Sequence, residues 1–182
     1  MKYTYNIIEG FHSPNECKAI LEHLESNVTS RVTDFPAKGA VKTSTVSYCF
    51  YGAVGNALEK VKHMAIECNR TMFGFDLYEI SNFESVSLNK YSASNQGEYG
   101  WHNDGAMGEM WDSKLTALLN LSQEPYEGGQ FELFLNEPTE MEQFNKPGSL
   151  IIFPSFLFHR VKPVTKGQRI TVSQFFLGPN FR

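Results

Sequence analysis

The C-terminal part of the chain is a succession of short β-like runs separated by turns rich in glycine, proline and asparagine. This pattern starts after Gly74, and it is typical of a β-barrel or a double-sheet jelly roll, in which each turn folds the chain back on the sheet. A content of 14% aromatic residues suits the core of such a sheet. The predicted strands are Ser85–Tyr91, Lys114–Leu121, Gln130–Leu135, Ser149–Phe153, Leu157–Pro163 and Arg169–Phe176. The predicted turns are Ser92–Gly100, Pro125–Gly129, Lys146–Gly148 and Thr165–Gly167.

Residues 1–84 are predicted to hold two helices that pack outside this sheet. Ser13 and Glu16 have the spacing of a capping box, and the apolar positions that follow recur at i, i+3, i+4 and i+7. A second apolar stripe predicts a helix over Val54–Met72. We expect strands at Tyr3–Ile8 and Val46–Tyr51, and a single domain over residues 1–182.

Charge and cysteine content exclude several classes of protein. The formal net charge of −4 disfavours a protein that binds nucleic acid or an anionic membrane through basic surfaces. Three cysteines without a short pairing motif indicate small buried thiols in a reduced chain, so we expect a cytoplasmic protein. No apolar run is long enough to cross a bilayer, and no signal peptide is recognisable at the N-terminus.

Three residues have the side-chain types and the spacing expected of a metal site. His102 and Asp104 lie two apart on a segment predicted to be extended, so both side chains point to one face. His159 follows a predicted strand and a Pro-Ser bend. A His-x-Asp pair is common by chance, and His12, His23 and His63 are interpreted as ordinary packed or surface histidines. Two histidines and one carboxylate would form a facial triad, the arrangement of non-haem Fe(II) oxygen chemistry.

Arg169 strengthens this interpretation. It starts a predicted strand in which Arg169, Thr171, Ser173 and Phe175 share a face. A guanidinium in the barrel would bind a carboxylate through two parallel hydrogen bonds, and without that partner its burial would be costly. A metal and a distant carboxylate clamp fit a small acid that is chelated at one end and anchored at the other. 2-Oxoglutarate has that shape.

Together these segments resemble the Fe(II)/2-oxoglutarate dioxygenases. The run from His159 to Arg169 is similar to the prolyl-4-hydroxylase-like branch, including its bacterial PKHD-type hydroxylases. Asn89–Tyr91 with Gly97 and Tyr99, and the segment from Leu115 through Glu127-Gly128-Gly129 to Leu133, also match. The resemblance covers about Ser85–Gly178. It implies a double-stranded β-helix, a cupin-like jelly-roll barrel, with residues 85–178 as its catalytic core and the N-terminal helices as its support.

The resemblance also implies roles for individual residues. His102, Asp104 and His159 would bind Fe(II), and Arg169 would pair with the far carboxylate of 2-oxoglutarate. Tyr91 matches a tyrosine that contacts this cosubstrate, and Ser173 a small hydroxyl residue near the same carboxylate. The reaction would consume O₂ and release succinate and CO₂, with ascorbate supporting activity. Asn120 stands where animal prolyl hydroxylases have a cosubstrate-binding tyrosine, which leaves its role open.

The substrate is less constrained by the sequence. The branch implies a prolyl residue of a peptide or protein, and its other members act on free amino acids and other small molecules. The segment Ser30–Thr45 lies where the branch has a substrate-covering loop, and Gly105–Ser113 flanks the triad. A nucleic-acid demethylase is a rival, although that group carries a second arginine where this chain has Phe175. A non-enzymatic jelly-roll binding protein is another rival, and the sequence leaves the oligomeric state open.

Overall fold

The computed structural model describes residues 4–33, 41–105 and 112–181. Most of its regular structure is β, and the strands form two main sheets of seven and five strands and a two-stranded ribbon. In chain order the strands are β1 (Asn6–Ile8), β2 (Ser30–Thr33), β3 (Lys42–Thr43), β4 (Thr45–Phe50), β5 (Ser85–Ser92), β6 (Glu98–His102), β7 (Asp112–Asn120), β8 (Glu127–Gly128), β9 (Phe131–Phe134), β10 (Pro138–Glu140), β11 (Leu150–Pro154), β12 (His159–Val161), β13 (Val164–Lys166) and β14 (Gln168–Gly178).

The major sheet has the order β1-β11-β7-β14-β5-β4-β2, and the minor sheet has the order β10-β9-β12-β6-β3. Apolar residues of the major sheet alternate between two cores. Leu118 and Ile151 pack toward the minor sheet, whereas their neighbours Leu119 and Ile152 pack against the helices. This two-sided burial follows from the period-2 geometry of a strand. The predicted double-stranded β-helix with supporting helices is therefore confirmed.

The first predicted helix forms as α1 (Pro14–Ser26), and its N-terminal capping box is complete. Ser13 Oγ accepts a hydrogen bond from the backbone of Glu16, and the Glu16 carboxylate accepts one from the backbone of Ser13 at 2.7 Å. The backbone N–H and, next, the hydroxyl of Ser13 donate to the Glu16 carboxylate and hold the pKa of Glu16 down at about 2. The predicted apolar stripe is the buried face of this helix, and it consists of Cys17, Ile20, Leu21 and Leu24.

We expect Ser13→Ala to lower the free energy of unfolding by about 1 kcal/mol, because the substitution leaves a helical N–H without its side-chain acceptor. Urea titration followed by far-UV circular dichroism measures the change. Ser26→Ala on the same helix is the matched control. The Ser26 hydroxyl only donates back to Glu22 O near the C-terminal end, so its loss should cost little. Equal effects of both substitutions would contradict the capping assignment.

The second predicted helix is segmented. In place of one helix over Val54–Met72, the chain forms α2 (Tyr51–Val54), a 3₁₀ turn (Gly55–Leu58), α3 (Glu59–Cys68) and a π turn (Asn69–Phe73). The predicted stripe is nevertheless buried, at Val54, Leu58, Val61, Ala65 and Cys68. The apolar spacing thus identified the buried face, although the helical pitch changes along it.

The segment Ser92–Gly100, predicted as a turn, is a turn only in its first part. A short 3₁₀ turn, Ala93–Asn95, reverses the chain after β5, and strand β6 already begins at Glu98. A Cβ atom at Gly97 would lie only 2.7 Å from the backbone nitrogen of Ser92, which explains the glycine. The strand matters for function because it ends at His102.

The environments of the cysteines and of Trp101 are also defined. Cys17, Cys49 and Cys68 are free and buried, as predicted. Trp101 is half-buried, with its ring edge-on to Phe134 and beside the guanidinium of Arg160. Among the described residues, no helix has the length and apolar character that spanning a membrane requires.

Candidate functional site

The minor sheet brings the predicted triad together. His102 ends β6 and His159 begins β12, and the two residues are direct partners in this antiparallel pair. Their ring centroids lie 4.1 Å apart. The backbone N–H of Asp104 donates to Ser155 O at 2.8 Å, which fixes the residue after β6 beside the bend before β12. One potential ligand atom from each of the three side chains lies within 4.8 Å of the others.

Neighbouring backbone groups orient both imidazoles. His102 Nδ1 lies 2.8 Å from Gly100 O, and His159 Nδ1 lies 2.9 Å from Leu157 O. A carbonyl only accepts hydrogen bonds, so each Nδ1 carries a proton, and Nε2 is the nitrogen that can bind a metal. These Nε2 atoms lie 3.8 and 3.4 Å from the carboxylate oxygens of Asp104. The lone pairs of two nitrogens and a carboxylate therefore converge, which suits a divalent cation between them.

Burial keeps the first imidazole neutral. Desolvation, and next the proximity of His159, lower the pKa of His102 to about 2. The ring of Tyr99 stacks on that of His102 with centroids 3.4 Å apart and an interplanar angle of 16°. On the carboxylate side, Thr116 Oγ1 donates to Asp104 Oδ2 at 3.0 Å. The three side chains are thus held in place by the surrounding protein, as ligands of a preformed metal site are.

Arg169 lies on β14 in the major sheet and is only 1% exposed. Its Nε and Nη2 atoms are buried and have no hydrogen-bond partner among the described residues. The guanidinium carbon lies 5.5 Å from the ring centroid of Tyr91, its cross-strand partner, and 5.6 Å from that of Phe144. A buried guanidinium with free donors is costly, so this position calls for an anionic ligand with two oxygens.

Tyr91 and Ser173 complete the predicted set. Desolvation raises the pKa of Tyr91 to about 12, so its hydroxyl stays protonated and can donate a hydrogen bond. Ser173 Oγ accepts from Asn89 Nδ2 at 3.0 Å. Together with the triad and Arg169, these residues line one cavity of about 240 Å³ between the two sheets. Thr171 and Phe175 also line it, so the predicted alternation along β14 is confirmed.

A roomier surface groove of about 740 Å³ lies around Pro125, Tyr126 and Pro147. Its lining includes none of the triad residues and no arginine. Size alone therefore does not identify the site. The smaller cavity is the candidate, because its lining holds the converging ligands and the unpaired cation.

The sequence leaves the role of Asn120 open, and in the structure this residue lies away from the cavity. Its side-chain amide donates to the carbonyls of Phe144 and Asn145, each at 3.2 Å, and so holds the segment after β10. Leu118, two residues earlier on the same face of β7, lines the cavity instead. The two-residue period of a strand places Leu118 and Asn120 on the same face of β7, but it does not tell which of them lines the cavity.

Sequence reasoning missed Lys42. This lysine, on β3, lines the cavity, and burial lowers its pKa to about 8, so the amine is still mostly protonated at pH 7. The segment Ser30–Thr45, interpreted as a covering loop, contributes β2 and β3 to the two sheets, while its residues 34–40 lie outside the described chain. Residues 106–111 of the flanking segment Gly105–Ser113 also lie outside it.

The remaining histidines do not join the cavity. His12 is buried, His23 Nε2 lies 3.1 Å from Ala53 O, and His63 pairs with Glu59 at 2.9 Å. Each has the packed or surface environment that was predicted for it.

Comparison with known proteins assigns the family. Residues 86–177, which carry the triad and Arg169, match the sequence profile of the 2OG-Fe(II) oxygenase superfamily. The chain belongs to this superfamily. Within it, the chain is 32% identical over 172 residues to the PKHD-type hydroxylase YbiX of Escherichia coli O81 (strain ED1a), covering 90% of this chain and 73% of the relative.

Two further comparisons concern a shorter sequence match and the fold. A PKHD-type hydroxylase of Stenotrophomonas maltophilia (strain R551-3) is 40% identical over 96 residues, a match that covers 49% of this chain and only 40% of the relative. In structure, the chain is similar to a viral collagen prolyl hydroxylase from Paramecium Bursaria Chlorella virus-1 in complex with 2OG. The TM-score is 0.72, with 21% identity and 97% of each chain covered, so the two share a fold.

The residues of the cavity fit the groups that the family implies. The converging lone pairs of the triad suit a ferrous ion, and the unpartnered nitrogens of Arg169 suit a carboxylate of 2-oxoglutarate. Both lie in one cavity, as a ligand that touches metal and guanidinium together requires.

Proposed function

We propose that the protein is an Fe(II)- and 2-oxoglutarate-dependent dioxygenase that hydroxylates an unactivated C–H bond. In this proposal 2-oxoglutarate and O₂ are consumed, and succinate and CO₂ are released. The single observation that carries it is the shared cavity of the His102, Asp104 and His159 cluster and the unpaired guanidinium of Arg169. A protein that only bound a metal would not need a buried arginine with free donors beside it.

Each residue has a specific task in this proposal. His102 and His159 would hold Fe(II) through Nε2, and Asp104 through its carboxylate, with one face of the ion left for ligands. Bound there, the ion would supply the O₂ activation that couples decarboxylation of the 2-oxo acid to hydroxylation of the substrate. Arg169 would bind the far carboxylate with two parallel hydrogen bonds, supported by the hydroxyl groups of Tyr91 and Ser173.

The surrounding side chains would orient these groups and exclude water. The His159 ring packs against those of Phe131 and Phe153, with centroids 5.5 and 5.0 Å away. Tyr99 covers a face of His102. These contacts leave the imidazoles little rotational freedom, so the ligand set would be preorganised, and they keep the metal side of the cavity largely apolar.

A prolyl residue of a peptide or protein is the substrate that we propose first. It is supported by the structural similarity to the viral collagen prolyl hydroxylase and by the PKHD-type relatives. A free amino acid or another small molecule is the second candidate, favoured by the cavity volume of about 240 Å³, which lies below the usual range for larger ligands. The net charge of −4 argues against a nucleic-acid substrate.

The proposal predicts succinate formation when the purified protein is incubated with Fe(II), 2-oxoglutarate, ascorbate and air. Uncoupled turnover without substrate should already be detectable and should stop when the metal is chelated. Mass spectrometry of candidate prolyl peptides and free amino acids should then show a gain of about 16 Da, one oxygen atom, in the true substrate. Protein that binds Fe(II) and 2-oxoglutarate yet never forms succinate would contradict the proposal.

A further inference from the structure

Lys42 is the charged side chain of the cavity that the proposed roles leave unused. Its strand, β3, pairs with β6, so that Lys42 is the partner of Tyr99 three residues before His102. The adjacent carbonyl of Val41 accepts a hydrogen bond from Gly100 N at 2.8 Å. The backbone of Lys42 is therefore fixed to the strand that carries the first triad residue.

The ammonium group is held at a defined place. Lys42 Nζ lies 4.3 Å from the ring centroid of Tyr99. The imidazole of His102 covers one face of this ring at 3.4 Å, which leaves the other face for the ammonium. On its far side the ammonium meets Asn89 Oδ1 at 3.5 Å. Asn89 donates through Nδ2 to Ser173 and to Ser87 O, so its oxygen is the atom turned toward Lys42.

This ammonium forms no ion pair with a carboxylate of the described residues, and the amide oxygen of Asn89 is at the limit of hydrogen-bond distance. Burial lowers the pKa of Lys42, and the more distant charge of Asp104 raises it in part. Since Asp104 is assigned to the metal, the half-buried ammonium has lost solvation and gained little in return. The position is therefore set up for an anion that enters the cavity.

A charge count shows which ligand would supply that anion. At pH 7 the described lining carries two cationic side chains, Lys42 and Arg169, and one carboxylate, Asp104. The two charges of a ferrous ion would be balanced by Asp104 and the near carboxylate of 2-oxoglutarate. The far carboxylate would balance Arg169. One positive charge then remains, so Lys42 is the cation left for the substrate.

We propose that Lys42 determines substrate specificity by binding a carboxylate carried by the substrate close to the carbon that is hydroxylated. The substrate is then either an acid in its own right, such as a free amino acid, or a peptide with an acidic side chain beside the reacting residue. The inference rests on the proposed function, since it assumes that the metal and 2-oxoglutarate occupy the rest of the cavity.

The test is equilibrium binding. Isothermal titration calorimetry is carried out on the full chain loaded with Mn(II) and N-oxalylglycine, a non-reacting analogue of 2-oxoglutarate. One set of probes compares L-proline and the other common L-amino acids with their C-terminal amides. The second set compares N-acetyl-Glu-Pro-amide with N-acetyl-Gln-Pro-amide. The first set tests whether a free carboxylate of an amino acid contributes to binding, and the second set tests whether an acidic residue next to the proline does.

In one of the two sets, we expect the acid to bind at least about tenfold more tightly than its amide, the factor of one charge-assisted hydrogen bond. Lys42→Met should abolish this difference, and Lys42→Arg should restore much of it. Lys166→Met, at an exposed lysine that pairs with Glu127, is the matched control and should keep the difference. Melting temperatures verify that each variant is folded.

Three results would overturn the inference. Acids and amides could bind equally to the original protein, or no acid could bind to protein that holds Mn(II) and N-oxalylglycine. The third is that Lys42→Met weakens the binding of N-oxalylglycine as strongly as the binding of the substrate acid, which would assign Lys42 to the cosubstrate. Failure of the loading step itself, with no binding of Mn(II) and N-oxalylglycine, would instead contradict the proposed function.

Discussion

Asp104→Ala is expected to abolish Fe(II)-dependent succinate formation. The carboxylate is the anionic member of the ligand set, and its removal leaves two neutral imidazoles to hold a divalent ion. Loss of a supporting contact around a metal ligand typically costs about 10- to 100-fold in metal affinity, so loss of the ligand itself should cost more than about 100-fold. Titration with Fe(II) under anaerobic conditions measures the affinity, and succinate release measures turnover.

The fold should survive this change. Asp104 follows β6, and its backbone N–H, which donates to Ser155 O, is retained in the variant. The melting temperature of the metal-free protein should therefore stay close to the original value. His63→Ala is the matched control, because that histidine is exposed and also pairs with a carboxylate, Glu59. Unchanged turnover in Asp104→Ala would show that the triad is not the metal site.

Arg169→Met is expected to raise the 2-oxoglutarate requirement by about 100-fold while changing the Fe(II) requirement only slightly. The substitution keeps the length of the stem and removes the two-armed donor. Breaking a buried, hydrogen-bonded charge pair costs about 2–5 kcal/mol, and the lower half of that range corresponds to this factor. Saturation curves for each component, with the other in excess, separate the two effects.

A stability measurement tests the same residue independently. In the ligand-free protein, Nε and Nη2 of Arg169 have no partner among the described residues, so removing the charge should not destabilise the fold and could raise the melting temperature. The original protein should gain stability from 2-oxoglutarate in the presence of Mn(II), and Arg169→Met should lose this gain. Equal losses of Fe(II) and 2-oxoglutarate affinity would count against the carboxylate clamp.

The sequence predicted the elements whose burial follows a simple period. The stripe of α1, the alternation of β14 and the two-sided burial of the major sheet are all set by local geometry. The sequence also predicted that His102, Asp104, His159 and Arg169 belong to one site, because the spacing of these residue types is specific. What it could not supply was the distance between them, which depends on the pairing of β6 with β12.

The features that were missed depend on tertiary contacts. The second helix is segmented, and the apolar spacing gives no sign of it because the same face stays buried. Lys42 faces the cavity only because a two-residue strand joins β6, and a strand that short leaves no recognisable pattern. The role of Asn120 was left open by the sequence, and in the structure its side chain holds the segment after β10.

The proposed function requires one metal ion and one 2-oxo acid to share the cavity between the two sheets. A crystal structure of the protein with Mn(II) and N-oxalylglycine, with the metal located by anomalous scattering, measures this. We expect one ion bound by Nε2 of His102, the carboxylate of Asp104 and Nε2 of His159, with the far carboxylate of the analogue on Arg169. An ion bound at other residues, or an analogue that does not reach Arg169, would show that the proposed function is wrong.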